Sequence, residues 1–428
     1  METYRYPALN EEVIRDILPN GLHIVLVPRP GFSKKLAYFV TDYGAIHTNY
    51  TVNGQAFQAP AGVAHYLEHK LFDMPGRDVS SEFAALGASV NAFTSFDMTA
   101  YYFGCTENFA ESLSLLLEFV STPYFTQESV AKEQGIIGQE IGMYEDNPES
   151  KVFDLLVGNM YRNHPIRTPI LGTKESIAQI TPEILTQCHK AFYRPDNMLL
   201  CVVGDVEMEL VRKIAMEILP EAPTDTVVPA KNWPEEMTCP RAYADTAMEV
   251  AMPMFQLGFK CEPLGKGEDA VRVEAIGDLA AEALFGESSR LYLRLYEEGL
   301  IDSAFGGGFE TIEGMAMLTA FGDSDDPEAV FEAILEEAAI IAEEGIPEAD
   351  FLRMKRSALG RRIRSLDSFD STCFRICAYH FSDFDYFRFP EVFEKLENRE
   401  VQEFLRKTVI RERASLACIY PTNQEETT

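Results

Sequence analysis

The first half of the chain is built around the stretch Gly62-Val63-Ala64-His65-Tyr66-Leu67-Glu68-His69. On a helix, residues i and i+4 share one face, so His65 and His69 can direct both imidazoles at one metal ion, with Glu68 beside them. A catalytic zinc site needs neutral imidazole ligands, an open position for water and a carboxylate that takes a proton from that water. The order His-x-x-Glu-His is the inverted zincin signature and indicates a metal site.

A surface helix with two histidines on its polar face is the competing interpretation of this stretch. Val63, Ala64, Tyr66, Leu67 and Leu71 argue against it, because they predict a largely buried helix in which histidine and glutamate need a function. The chain has only 7 histidines, and two of them stand here. The pattern therefore favours the metal site.

The length of 428 residues predicts two domains, since one hydrophobic core rarely serves so long a chain. We place a first domain at residues 1–222 and a second at 239–428. The linker, 223–238, belongs to a stretch rich in proline, threonine and alanine that holds the only tryptophan, Trp233.

Charge and cysteine content narrow the possible partners and the location. A net charge of −31 excludes nucleic acid as a partner. The sequence has no apolar run long enough to span a membrane and no export signal, so we expect no membrane partner. Its 8 scattered cysteines then indicate reduced, mostly buried thiols in a cytoplasmic protein.

The pattern of strands and helices occurs twice. Asn197 to Gly204 reads as a buried strand, the segment from Gly44 to Pro60 as irregular, and a hairpin joins Ala88–Thr94 to Met98–Cys105. A strand, helices, strands, long helices and a closing strand follow one another in each half, with the last strand at Ala414 to Tyr420. This order suggests a duplicated fold.

Glu140 is the candidate third ligand, because a catalytic zinc takes three protein ligands and a water. It lies on a predicted helix from Glu128 to Tyr144, and Glu133 stands two turns earlier on the same face. Spacing alone favours a solvated helix surface for each glutamate.

Further motifs give the chain a family resemblance. The His-x-x-Glu-His stretch with the distant run Glu133–Glu140 resembles the pitrilysin/insulinase family of zinc metallopeptidases, which includes the mitochondrial processing peptidases. The likeness is specific over most of residues 15 to 215, weaker over 240 to 420, and strongest to the bacterial YmfH-type branch. It extends through these segments: Val90–Ser95, Gly172–Ile177, Tyr193–Met198 and Val202–Asp205.

The resemblance implies a fold and a zinc site. The fold is of the α+β class, with two tandem homologous α/β-sandwich domains, each a mixed, mainly antiparallel sheet flanked by helices, that form a half-chamber. His65, His69 and Glu140 would bind one Zn²⁺ per chain. Glu68 would be the general base that activates the water, and Glu133 would support the site.

The resemblance also implies a way of holding substrate. The strand with Asn91, Ala92 and Thr94 would be a sheet edge to which an extended peptide adds by main-chain hydrogen bonds. Active family members carry an arginine and a tyrosine in the second domain that contact substrate, but here Tyr296 and Asp302 stand at those positions. We therefore expect a related zinc-less subunit to complete a heterodimer, with a homodimer as the alternative.

The expected function is a zinc-dependent endopeptidase that hydrolyses unstructured peptides. Two alternatives stay open: a non-catalytic scaffold or assembly subunit of the same fold, and a maturation protease for one modified peptide or client protein. Cys373, Cys377 and His380 could share a helix face and bind metal, but a buried helix face explains them better. For His164, a structural hydrogen bond is the favoured role, with substrate contact as the alternative.

Overall fold

The computed structural model describes residues 1–422, which form two compact units. The first unit comprises Met1–Ile141, Thr168–Lys231 and Arg362–Arg388. The second comprises Gly142–Arg167, Asn232–Arg361 and the chain from Phe389 onwards. Each unit is thus assembled from three separate stretches of sequence, and the domain boundaries proposed around residues 222 and 239 stay a prediction.

The strands are numbered along the chain. They are β1 (Glu2–Tyr6), β2 (Glu11–Ile17), β3 (His23–Pro28), β4 (Lys35–Thr41), β5 (Asn49–Val52), β6 (Gln55–Gln58), β7 (Asp73–Met74), β8 (Arg77–Asp78), β9 (Ser89–Thr94), β10 (Thr99–Cys105), β11 (Met198–Gly204), β12 (Val227–Pro229), β13 (Tyr243–Met248), β14 (Met254–Cys261), β15 (Gly306–Ile312), β16 (Met315–Asp323) and β17 (Ala414–Pro421).

The α-helices are numbered in the same way. They are α1 (Val63–Leu71), α2 (Val79–Ala85), α3 (Phe109–Ser121), α4 (Gln127–Glu145), α5 (Pro148–Met160), α6 (Lys174–Ile177), α7 (Pro182–Phe192), α8 (Met208–Ile218), α9 (Gly267–Phe285), α10 (Arg290–Glu297), α11 (Pro327–Glu344), α12 (Glu348–Ser365), α13 (Phe369–Phe381), α14 (Phe389–Glu394) and α15 (Asn398–Thr408). Among residues 1–422, no helix has both the length and the apolar character needed to cross a membrane.

The first unit is built on a seven-stranded sheet in the order β1-β2-β3-β11-β4-β10-β9. Only the pair β3 and β11 is parallel; the other neighbours are antiparallel. Every residue of β11 is buried, as expected for a central strand covered on both faces. The strand β9 ends the sheet, so one of its sides carries no neighbouring strand.

The helix α13, from late in the sequence, packs on β11 and β4 in this unit. Cys373 and Cys377 of α13 are buried, and their thiols meet that of Cys201 on β11. The interpretation of these cysteines as a buried helix face is therefore confirmed.

The second unit repeats the central part of this sheet with the order β13-β17-β14-β16-β15. Its first pair is parallel and the rest are antiparallel, as in the series β3-β11-β4-β10-β9. The helix α5 packs on β13, β14 and β17, so this unit also takes a helix from a distant part of the sequence. The predicted α+β class, with mainly antiparallel sheets and a duplicated plan, is confirmed.

One local prediction was wrong, and several other elements were not predicted. The segment from Gly44 to Pro60 contains β5 and β6, joined by a turn at Asn53 and Gly54, both with positive φ. The strand β12 lies inside the predicted linker and pairs with β5. The strands β1, β2 and β13 and the helix α5 had no counterpart in the sequence prediction.

Candidate metal centre

The start of helix α1 is fixed by two glycines that face each other. Gly62 caps the helix with φ 88°, and a Cβ there would lie 2.4 Å from the carbonyl oxygen of Leu171. A Cβ on Gly172 would lie 2.6 Å from the carbonyl oxygen of Ala61, to which Ser176 also donates a hydrogen bond of 2.9 Å. The backbones can approach this closely only because both residues are glycine. The motif Gly172–Ile177 therefore sets where α1 begins.

The helix α1 is buried, as its sequence predicts. Val63, Ala64, His65, Tyr66, Leu67, Lys70 and Leu71 are all buried. The Tyr66 hydroxyl donates to the carbonyl oxygen of Val130, which ties α1 to α4. The two histidine rings lie side by side on one face, with centroids 4.6 Å apart.

The helix α4 brings both predicted glutamates to these rings. The Nδ1–H of His69 donates a hydrogen bond of 3.0 Å to Oε1 of Glu133. Glu140 lies 3.6 Å from Nε2 of His65 through Oε1, and 3.7 Å from Nε2 of His69 through Oε2. The two glutamates thus lie on one face of α4, as their spacing predicts, and the structure places that face against the histidines.

The donor set fits a zinc ion. One ligand atom from each of His65, His69 and Glu140 lies within 4.8 Å of the others. In a tetrahedral site with ligand bonds near 2.0–2.1 Å, ligand atoms are roughly 3.4 Å apart, close to the two separations measured to Glu140. The bond to Glu133 holds His69 in the tautomer whose Nε2 is free to bind a metal. Nδ1 of His65 is buried without a hydrogen-bond partner in the described chain.

The histidines and glutamates of the site shift each other's pKa values. The hydrogen bond from His69 to Glu133 raises the pKa of that histidine above its usual value. The contact with His65 lowers the pKa of Glu140 below its usual value, so this carboxylate stays ionised. A cluster of this kind attracts a cation.

Glu68 has a partner that the sequence did not reveal. The Thr94 hydroxyl, at the end of β9, donates a hydrogen bond of 2.7 Å to Oε2 of Glu68. The packing of α1 on β9 brings these residues together, so no local spacing could have shown the contact.

Asn91 and Ala92 lie on β9, which is an edge strand. The Ala92 N–H donates to the side-chain oxygen of Asn91 over 2.9 Å. Tyr296 and Asp302 belong to the second unit: Tyr296 is exposed on α10 and stacks on Tyr292, and Asp302 accepts a hydrogen bond of 2.7 Å from the N–H of Ala304. The metal ligands, in contrast, all belong to the first unit.

Comparison with known proteins places this site in a family. The family model "Insulinase (Peptidase family M16)" matches residues 54–174, and "Peptidase M16 inactive domain" matches residues 179–358. The "Uncharacterized zinc protease YmfH" of Bacillus subtilis (strain 168) is 35% identical over 97% of this chain and 98% of its own length. The chain belongs to peptidase family M16. Within this family, also called the pitrilysin or insulinase family, it is a member of the YmfH branch.

Solved M16 structures share the fold. A "putative M16-like peptidase" from Alicyclobacillus acidocaldarius superposes with a TM-score of 0.92 at 31% identity, over 96% of this chain and 99% of that chain. A "protease from Helicobacter pylori" gives 0.83 at 19% identity over 96% and 100%, and shows the fold alone. Of the two family models that match this M16 chain, the insulinase model covers residues 54–174. The model for residues 179–358 carries the name "inactive domain".

Proposed function

We propose that this M16 chain is a zinc-dependent endopeptidase that hydrolyses peptides in an extended conformation. The observation that carries the proposal is the convergence of His65, His69 and Glu140, with Glu68 one turn from His65 on the same helix and Glu133 hydrogen-bonded to His69. The zinc proteases among its relatives support the metal assignment.

The chain's own residues would divide the chemistry. His65, His69 and Glu140 would hold one Zn²⁺, which supplies polarisation of the peptide carbonyl and acidification of a water molecule. Glu68 would accept a proton from the attacking water and deliver it to the leaving amine nitrogen. Glu133 would keep His69 oriented, and loss of such a partner commonly lowers metal affinity by about 10- to 100-fold.

The substrate would bind along β9. This strand is at the edge of its sheet and ends at Thr94, whose hydroxyl contacts Glu68. A peptide that adds beside Asn91 and Ala92 by main-chain hydrogen bonds would be recognised by its extended backbone, which suits unstructured segments of varied sequence.

A second subunit would complete the enzyme. Tyr296 and Asp302 stand where active relatives carry an arginine and a tyrosine, so we propose a heterodimer with a zinc-less relative, or a homodimer. All 8 cysteines are free, which supports a reducing, cytoplasmic location.

Peptide cleavage tests the proposal. The purified wild-type chain, Glu68→Gln and Glu128→Gln are incubated with a mixture of unstructured peptides, and the products are identified by mass spectrometry. Glu128 lies exposed in the first turn of α4, so Glu128→Gln is the matched control. We expect cleavage by the wild type and the control, and a loss of about 10²- to 10⁴-fold in Glu68→Gln.

The other outcomes also decide between functions. Equal cleavage by the wild type and Glu68→Gln would contradict the assigned base. An inactive wild type is then mixed with a zinc-less relative: restored cleavage supports the heterodimer, and continued inactivity favours the scaffold function. A single client cleaved among many peptides would indicate a maturation protease.

A further inference from the structure

We propose that Thr94 is a positioning residue that orients Glu68 through its hydroxyl, an inference that rests on the peptidase function proposed above. Strand-edge position alone would assign Thr94 to substrate contact, together with Asn91 and Ala92. The side chain of Thr94, however, is already committed to Glu68.

The direction of the hydrogen bond is unambiguous. An ionised carboxylate can only accept, so the Thr94 hydroxyl donates to Oε2 of Glu68 over 2.7 Å. The other carboxylate oxygen has no hydrogen-bond partner among the contacts recorded for residues 1–422, which leaves it available for the proton of the attacking water. Fixing one oxygen limits rotation of the carboxylate, and orientation of this kind lowers the barrier to proton transfer.

The backbone at Thr94 and in the turn after it is held by strand pairing and by hydrogen bonds. It pairs with Thr99 at the end of the β9–β10 hairpin, and the next residue, Ser95, closes the turn by donating its N–H to the carbonyl oxygen of Met98 over 2.8 Å. A Cβ on Gly44 would lie 2.6 Å from the backbone of Phe96, so the 44–47 segment presses against this turn. Threonine is also stiff at χ1, because its Cβ is branched.

The segment from Ala45 to Ile46 adds two hydrogen bonds to this bracing. The N–H of Ala45 donates to the carbonyl oxygen of Ser95 over 3.1 Å, and that of Ile46 to Phe96 over 2.9 Å. The turn that follows Thr94 is therefore held in place by three backbone hydrogen bonds. A donor for a general base needs such rigid support, since a displacement of about 1 Å can cost about 100-fold in rate.

The test compares Thr94→Val, Thr94→Ser and Thr99→Val with the wild type in steady-state peptide cleavage. Valine keeps the branched shape and removes only the donor, and serine restores the donor. Thr99→Val is the matched control, because Thr99 is the cross-strand partner and its hydroxyl donates to the carbonyl oxygen of Tyr43 instead. Zinc content and the unfolding temperature are measured on each variant.

A hydrogen bond to a charged group is commonly worth a factor of about 10 to 100, so Thr94→Val should lose that much in kcat, with KM within about twofold. Thr94→Ser should recover most of the rate, and zinc content should be unchanged throughout. A raised KM with unchanged kcat would instead assign Thr94 to substrate contact. An equal loss in Thr99→Val would assign the effect to hairpin stability.

The two proposals fail in different ways. If the wild type cleaves and Thr94→Val keeps the full kcat, only the positioning role is overturned. If the wild type shows no cleavage that depends on Glu68, the peptidase function fails and the positioning role fails with it.

Discussion

The two units share the same order of five strands. We compare them where a helix crosses the edge strand, which is called the crossing below. In each, a helix packs across the edge strand of the sheet: α1 across β9, and α9 across β15. At the first crossing Glu68 meets Thr94 in a hydrogen bond. At the second, a Cβ on Gly277 would lie 2.3 Å from the ring of Phe309, so an aromatic side chain packs directly against the helix backbone.

The difference shows how a duplicated fold can separate chemistry from packing. At the first crossing, the hydrogen bond between Thr94 and Glu68 offsets part of the free-energy cost of burying these two polar side chains. The second crossing uses a glycine and an aromatic ring to close the gap between helix and strand. Both units have the same strand pairing, but different side chains lie between the helix and the edge strand. The difference in function therefore depends on a few side chains and not on the sheet.

The largest expected effect on stability lies in the second unit. Glu235 and Lys260 form an ion pair of 3.0 Å with side chains 7% and 2% exposed. Glu235 also accepts hydrogen bonds from the backbone N–H groups of Arg162, Asn163 and His164. Glu235→Ala would leave a buried ammonium and three N–H groups without this acceptor, so we expect a loss of about 3–5 kcal/mol in urea unfolding.

The neighbour Glu236 is exposed and gives the control Glu236→Ala, which should change stability by less than about 0.5 kcal/mol. A Glu235→Ala variant as stable as this control would contradict the assignment. The contrast with Glu140 sharpens the comparison: its side chain is 41% exposed, so a change there should remove metal binding with little loss of stability.

Each unit contains a buried neutral histidine, whose effect on the free energy of unfolding can be measured at low pH. His189 in the first unit donates a hydrogen bond of 2.9 Å to the carbonyl oxygen of Val120, and His164 in the second donates one of 2.8 Å to that of Glu313. Burial lowers the pKa of both, to about 4 for His189.

The unfolded chain therefore takes up a proton near pH 6.5, whereas folded His189 does so only near pH 4. Its contribution to stability is full above about pH 6.5 and is lost as the pH falls toward 4. At pH 5 the free energy of unfolding is lower by about 2 kcal/mol than at pH 7 because of this histidine. In urea unfolding, His189→Gln should show a pH dependence weaker by that amount; an unchanged pH dependence would contradict the buried neutral state.

The smallest effects compare two helical glycines of the second unit. Gly277→Ala places a methyl group against Phe309, so we expect a loss of about 1–3 kcal/mol from overpacking. Within residues 1–422, no atom outside the surrounding turns of α12 lies within 4 Å of a Cβ on Gly360, so Gly360→Ala should gain about 0.5–1 kcal/mol. Thermal unfolding measures both, and the same sign for the two changes would break the account of the second crossing.

The sequence predicted the parts of the site that depend on local spacing. The shared face of His65 and His69 follows from their helical spacing. The spacing of Glu133 and Glu140 puts both on one face of a helix, but their place in the site was expected only from the family resemblance. The contact of Thr94 with Glu68 did not follow, because it depends on how α1 packs against the distant strand β9. The assignment of α5 and α13 to units distant in sequence was equally hidden, since burial of a helix face does not say which sheet covers it.

The role of Glu235 was also missed, since it lies in a stretch whose composition indicated a linker. Proline, threonine and alanine report an irregular backbone, but not whether a side chain in it is buried. Composition thus predicted the regular elements better than the irregular connections.

The most direct test of the central claim is the zinc content of the purified chain, measured by mass spectrometry of the metal after equilibration with zinc and removal of the excess. The wild type is compared with His65→Gln/His69→Gln and with the control His23→Gln, which changes a histidine on β3. We predict one zinc per chain in the wild type and the control, and none in the double variant. Zinc retained by the double variant, or absent from the wild type, would contradict the site.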